Sequence, residues 1–275
     1  MSIPKTPTAS IGAFDSGVGG LSVLRTIRAE LPGEDLIYFA DQAHVPYGPR
    51  GLAEVRRLAE GIVRWLMAQG VKLILIPCNT ASAAALHSLR TQFPGFPFVG
   101  MEPAVKPAAE HTENGKVGVL ATPTTFEGEL YASVVERFGQ GVNIQQATCP
   151  GLVAEIEDGR GNGSEARRIL AAALEPMLAQ GVDTIVLGCT HYPFAFETIR
   201  SIVGETVRLI DPTPAIARRV ASLLDIGGLR NPRTTGGRTR YITSGDAAQM
   251  QARIQELLGD ETTVETLPWK NGELE

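Results

Sequence analysis

The chain has 275 residues, 43% of them hydrophobic, and a net charge of −5, which allows one large domain or two of ordinary size. No apolar run approaches the ~18–20 residues of a membrane span, no Lys/Arg block suits nucleic acid, and residues 1–10 lack the apolar core of a signal peptide. Three cysteines make no disulfide framework, and the four histidines (His44, His87, His111, His191) show no zinc-site spacing, so a cytoplasmic protein with reduced thiols and no metal is expected.

In chain order, Ile11-Gly12-Ala13-Phe14 reads as a first strand and Asp15-Ser16-Gly17-Val18-Gly19-Gly20 as the turn after it. A helix follows with Leu21, Leu24 and Ile27 on one face. The turn lacks the third Gly of a dinucleotide fingerprint and any Gly-Lys-Ser/Thr. Asp15 beside a hydroxyl and open backbone N–H groups suits an ammonium-bearing zwitterion; the plainer alternative is a helix cap. Residues 35–40 form a second strand. The loop Asp41-Gln42-Ala43-His44-Val45-Pro46-Tyr47-Gly48-Pro49-Arg50 has a fixed shape that exposes backbone amides to a carboxylate, or is a plain turn. An amphipathic helix at 52–67 then carries Val55, Leu58, Ile62 and Leu66 inward.

The next segment, Val71-Lys72-Leu73-Ile74-Leu75-Ile76-Pro77-Cys78-Asn79-Thr80, returns 111 positions later as Val182-Asp183-Thr184-Ile185-Val186-Leu187-Gly188-Cys189-Thr190-His191. Each copy follows an Ala-Gln-Gly helix end and reads as a parallel strand buried on both faces. In open α/β sheets ligands sit beyond the carboxyl ends of the strands, so Cys78 and Cys189 stand at equivalent functional edges. Cys78 begins a helix, whose N–H groups favour thiolate. A strand at 98–100 ends the first half, and residues 116–122 restart the pattern of Ile11, with Thr122-Pro123-Thr124-Thr125 supplying hydroxyls in place of Asp15-Ser16. A strand at 145–149 leads to a helix with Glu155, Glu157 and Asp158; Cys149 has no repeat partner and reads as core. Ser164 caps the helix that feeds the second cysteine strand. His191, two residues past Cys189, is placed to tune that thiol. A strand at 207–210 precedes a crossing at Asp211-Pro212. The helix at 215–224, a strand at 240–243 and a final helix return to the first half, with 230–237 a mobile polar loop. The expected architecture is α/β: two similar domains, pseudo-twofold related, with parallel sheets flanked by helices and the active site between them. Residues 1–100 and 213–275 form the first domain and 101–212 the second.

Two opposed thiols without Cys-x-x-Cys argue against a redox pair, and a metal would need more ligands. They suit two-base proton exchange at carbon, one thiolate removing a proton from one face while the other thiol supplies one to the opposite face. No imine lysine in a phosphate cradle is evident, since Lys72 lies at the far end of its strand; no cofactor is expected.

Phe14-Asp15-Ser16-Gly17-Val18-Gly19-Gly20, Val45-Pro46-Tyr47-Gly48, Cys78-Asn79-Thr80-Ala81 and Gly188-Cys189-Thr190-His191-Tyr192-Pro193 together resemble the glutamate racemases of the aspartate/glutamate racemase superfamily, from about residue 10 to the C-terminus. The resemblance implies cofactor-independent interconversion of L- and D-glutamate for peptidoglycan synthesis, in a homodimer. It implies Cys78 and Cys189 as the two bases. Substrate contacts would fall on Asp15, Ser16, Tyr47, Gly48, Asn79, Thr80, Thr122, Thr125, Thr190 and His191, with Glu157 the acid behind His191. Ala40, Gln42 and His44 depart from the usual Gly, Thr and Arg, and Ala121 replaces a Gly. A racemase for aspartate or another acidic amino acid is the nearest rival reading. A non-catalytic amino-acid binding module is the remaining one, although binding alone needs neither thiol.

Overall fold

A computed structural model of the protein describes residues 6–274. The apolar runs become strands with every residue buried: β1 (Ile11–Asp15), β2 (Leu36–Ala40) and β3 (Leu73–Ile76). Burial on both faces is what a continuous branched apolar run requires of a parallel strand. With β4 (Phe98–Gly100) they form the spatial order β2-β1-β3-β4, all parallel. The strands β5 (Lys116–Ala121), β6 (Asn143–Ala147), β7 (Thr184–Gly188) and β8 (Arg208–Ile210) form a second sheet in the order β6-β5-β7-β8, also parallel.

Replacing each strand by its counterpart four places on converts one order into the other, so the sequence repeat is a repeat of topology. It extends to register. Ile11 pairs with Leu73 across β1 and β3, and Val117 with Thr184 across β5 and β7. The first sheet is longer: β9 (Thr239–Thr243) pairs with β2, and β10 (Val264–Thr266) pairs with β9. A hairpin of β11 (Trp269–Lys270) and β12 (Glu273–Leu274) ends the described chain.

Both cysteine strands are entered from helices closed by left-handed glycines. Gly70 (φ 74°) follows the helix Leu52–Ala68 and Gly181 (φ 80°) the helix Ser164–Ala179. That conformation is strained for any residue with a Cβ, which explains the repeated Ala-Gln-Gly ending. The helix Leu52–Ala68 buries Val55, Ala59, Ile62, Val63 and Leu66, a helical-period stripe, against the sheet. One apolar cluster runs through both halves, from Ile11, Leu24 and Leu75 to Leu120, Leu187 and Ile199.

Three local expectations need correction. Ser164 does not cap its helix: Gly163 holds that position, with no side-chain hydrogen bond. The strand expected at 145–149 lies at Asn143–Ala147, because pairing with β5 sets its register. The loop 230–237 is anchored rather than free. Asn231 N–H donates to Glu34 Oε1 (2.8 Å), Arg233 pairs with Asp35 (2.5 Å), and Gly237 N–H donates to Pro32 O (2.9 Å). Most of the loop is exposed, yet these contacts tie it to one buried and one half-buried acid. Lys72 is itself buried and paired with Glu34 Oε2 (2.5 Å), at the end of β3 remote from Cys78.

Candidate active site

Parallel strands of both sheets deliver their carboxyl ends to one enclosed place. Cys78 is the N-cap of the helix Asn79–Gln92, its Sγ accepting from Ala81 N–H at 3.5 Å. Cys189 follows β7, but a 3₁₀ turn, Tyr192–Ala195, separates it from the next helix, Phe196–Val203, so it caps no helix. The two thiols therefore sit in equivalent positions with unequal surroundings. Both are buried and free, as is Cys149.

Asp15, at the end of β1, stands beside Cys78. Its carboxylate accepts from Ser16 N–H (2.6 Å), Gly20 N–H (2.5 Å) and Thr190 Oγ1 (3.1 Å). It thus braces the turn, part of what the capping alternative asked of it, although the N-cap of the helix Leu21–Glu30 is Gly20. Complete burial pushes the Asp15 pKa up; the positive charge of His191 and a hydrogen bond from Cys78 oppose the rise. Burial, and then the charge of Asp15, hold the Cys78 thiol well above its ordinary value. An acid and a thiol placed so are able to exchange a proton.

Cys189 has a different partner. Its Sγ lies 3.8 Å from His191 Nδ1, and His191 Nε2 lies 2.6 Å from Glu157 Oε1. Burial disfavours charge on His191, but hydrogen bonds to Cys189 and Glu157 outweigh it and lift the imidazole pKa well above the usual value. Its neighbours thus favour the protonated imidazole beside the Cys189 sulfur. Glu157 comes from the second half yet accepts from Val18 N–H (2.8 Å) in the first. Gln42 Nε2 reaches its other oxygen at 3.4 Å.

This contact explains the glycines of the turn. A Cβ on Gly17 would lie 1.9 Å from Glu157 Oε1, and one on Gly19 would lie 2.4 Å from His191 Nδ1. The turn is glycine-rich so that the second half can enter it, not so that it can hold a phosphate.

The remaining expected residues converge on the same seam. Thr80 Oγ1 and Thr122 Oγ1 are 2.9 Å apart across the two halves, and Thr122 Oγ1 is 2.8 Å from Thr125 Oγ1. Gly48 lies flush on Thr122, where a Cβ would meet Thr122 Cβ at 2.8 Å. Ser16 lies against Asp15, and Thr190 also binds Ser22 Oγ through its carbonyl (3.1 Å). Tyr47 is buried with its hydroxyl donated to Asp41 Oδ2 (2.6 Å). Asn79 is buried with neither amide atom partnered among the described residues. Buried amides left unpaired are costly, so this one is suited to a polar ligand.

Sequence reasoning counted Thr124 only among the hydroxyls of its loop and missed its contacts across the seam, where its Oγ1 lies within hydrogen-bond distance of Gly48 O (2.8 Å) and Arg50 O (2.6 Å); it also missed Gln42, which Thr243 Oγ1 holds by its carbonyl (2.8 Å). Thr124 was legible as the third hydroxyl of its loop; Gln42 showed only as a departure from a family pattern. Cys149 lies in the core, its thiol pushed up to about 12 by burial.

Two similarly ordered parallel sheets, each ending on a buried thiol with its own acid or base partner, define a class of α/β proteins built for chemistry between their halves. The profile of the family described as Asp/Glu/Hydantoin racemase matches residues 19–220. The glutamate racemase of Roseiflexus sp. (strain RS-1) is 48% identical over 248 residues, 90% of this chain and 91% of that one. Among solved structures, a glutamate racemase isoform, RacE1, from Bacillus anthracis aligns with a TM-score of 0.86 at 28% identity, covering 96% of this chain and 98% of that one. The Escherichia coli glutamate racemase in complex with L-glutamate and the activator UDP-MurNAc-ala gives 0.82 at 34% identity, over 94% and 98% of the two chains. The chain belongs to the Asp/Glu/Hydantoin racemase family and, within it, to the glutamate racemases.

Proposed function

We propose that the chain interconverts L- and D-glutamate without a cofactor, using Cys78 and Cys189 as bases on opposite faces of the α-carbon. The observation that carries this reading is the placement of two thiols at equivalent ends of two equivalently ordered sheets, each with its own partner. One thiolate removes the α-proton; the other thiol delivers a proton to the opposite face of the planar carbanion. The roles exchange in the reverse direction. Asp15 takes up and returns the Cys78 proton, and the imidazolium of His191, oriented by Glu157, balances charge on the Cys189 sulfur.

The other contacts follow from chemistry already on the seam. Free N–H groups at the start of the helix Asn79–Gln92 attract a carboxylate, and the unpaired Asn79 amide adds a donor and an acceptor. The loop bearing Tyr47 and Gly48 takes the second carboxylate. Ser16, Thr122, Thr125 and Thr190 supply hydroxyls. The L-glutamate complex of the Escherichia coli relative supports the substrate, and the muramic-acid nucleotide with it supports a role in peptidoglycan synthesis. The same reading divides the chain into domains at residues 101 and 213 and takes it to be a cytoplasmic homodimer.

The experiment is circular dichroism followed over time on dialysed protein with each glutamate enantiomer separately. Both should decay to zero ellipticity, with hydroxylamine present or absent. Activity that hydroxylamine abolishes and pyridoxal phosphate restores contradicts the cofactor-independent mechanism. Turnover of aspartate in preference to glutamate would move the substrate to the rival reading.

A further inference from the structure

Asp41 is wholly buried at the start of the loop that carries Tyr47 and Gly48. Its carboxylate gathers four side chains from three segments. His44 Nδ1 is 3.1 Å from both oxygens, Tyr47 Oη donates at 2.6 Å, Ser244 Oγ at 2.7 Å, and Trp269 Nε1 at 2.7 Å. A buried carboxylate is tolerated only when donors surround it, so each donor helps fix the loop. Three of them come from the loop or from the end of β9. The fourth comes from the C-terminal hairpin and, like Ser244, lies beyond the 19–220 stretch that the family profile matches.

A second, independent observation shows that the indole has a built seat. Gly61 lies inside the helix Leu52–Ala68, where glycine weakens a helix. A Cβ there would lie 2.8 Å from Trp269 Cη2. The glycine makes room for the ring. His44 meets the indole edge-on at 5.4 Å between centroids, and Leu267 N–H donates to Thr243 O (2.8 Å) to hold the chain leading to the hairpin. Leu274, opposite Trp269, packs on the cluster containing Phe39 and Ile62.

We propose that Trp269 is a positioning residue for substrate binding: through Asp41 it holds Tyr47, and with it Gly48, against Thr122 and Thr124 on the far side of the seam. The proposal rests on the reading of the Tyr47–Gly48 loop as a glutamate contact. Trp269 acts through hydrogen bonding of the loop, so its loss weakens substrate binding and leaves the proton transfers at the thiols intact.

The test compares Trp269→Phe, which keeps a ring but removes the N–H, with Gly61→Ala, which displaces the ring. Steady-state racemisation and thermal melts are measured on both. Loss of one hydrogen bond to a charged group should raise KM for both enantiomers about tenfold, with kcat changed less than about twofold. Gly61→Ala should move KM the same way, although alanine is the better helix former. Wild-type KM in both variants, or a lower Tm with unchanged KM, overturns the proposal. If Trp269→Phe does not fold, Gly61→Ala decides by the same criterion. If the wild type turns over no glutamate, the racemase reading fails instead; the Kd for D-glutamate, measured by calorimetry on the same proteins, then decides this one. No glutamate binding by the wild type overturns both.

Discussion

The neighbours of His191 favour its protonated form more than water does for an exposed histidine. Hydrogen bonds to Cys189 and Glu157 raise its pKa against the desolvation of complete burial. Folding raises the imidazole pKa above 6.5, so between 6.5 and the folded value the native chain binds the extra proton. Stability therefore falls as pH rises through that window. In urea melts the stability advantage of wild type over His191→Asn should be larger at about pH 6 than at about pH 9; an advantage that grows with pH contradicts the assignment. In the kinetics, His191→Asn and Asp15→Asn should each lower kcat, by roughly 10–10⁴-fold, and unequally in the two directions. Equal losses in both directions would mean that neither residue belongs to one particular thiol.

The turn between β1 and its helix is set by what it must admit. Gly17→Ala puts a Cβ 1.9 Å from Glu157 Oε1, and the cheapest relief is to push the carboxylate away from Val18 and His191. We expect Gly17→Ala to lose activity, with Glu157→Ala in the double variant costing less than it does alone, a coupling that a double-mutant cycle measures. Additive losses would show that the clash is relieved elsewhere. The strands and helices that frame this turn were legible in the sequence. Branched apolar runs, the Ala-Gln-Gly helix endings and the 111-residue offset set strand type, helix ends and repeat. Asp15 was legible in position but not in full: local sequence offered cap or ligand contact, and the structure has it bracing Gly20 while facing Cys78. What local sequence could not give was long-range pairing. Asp41 looked like one more loop acid, and its partner Trp269 lies 228 positions away. The loop 230–237 looked mobile because Glu34 and Asp35, which anchor it, are remote in sequence.

At the scale of the whole molecule, the site is shut. Cys78 is 4% and Cys189 7% exposed, and the two halves are latched by the Thr80–Thr122, Thr190–Asp15 and Glu157–Val18 contacts. On the proposed mechanism glutamate must reach the thiols, and these contacts would have to part to admit it. Alkylation by iodoacetamide, followed by mass spectrometry, should therefore be slow at Cys78 and Cys189 and slower still with D-glutamate. Cys149, raised to about 12 and packed in the core, should stay unmodified in the native protein. Rapid labelling of Cys149 under native conditions would contradict this picture of the core.

The central claim is that each half supplies one thiol to one face of the substrate. Racemisation needs both thiols, but elimination from a β-substituted glutamate needs only the first deprotonation. Cys78→Ser and Cys189→Ser, shown to fold by their melts, should both lose racemisation. Each is then given the separate enantiomers of threo-3-chloroglutamate, and chloride release is measured. The account predicts opposite preferences, one enantiomer for each variant. The same preference in both, or full racemase activity in either, would contradict it.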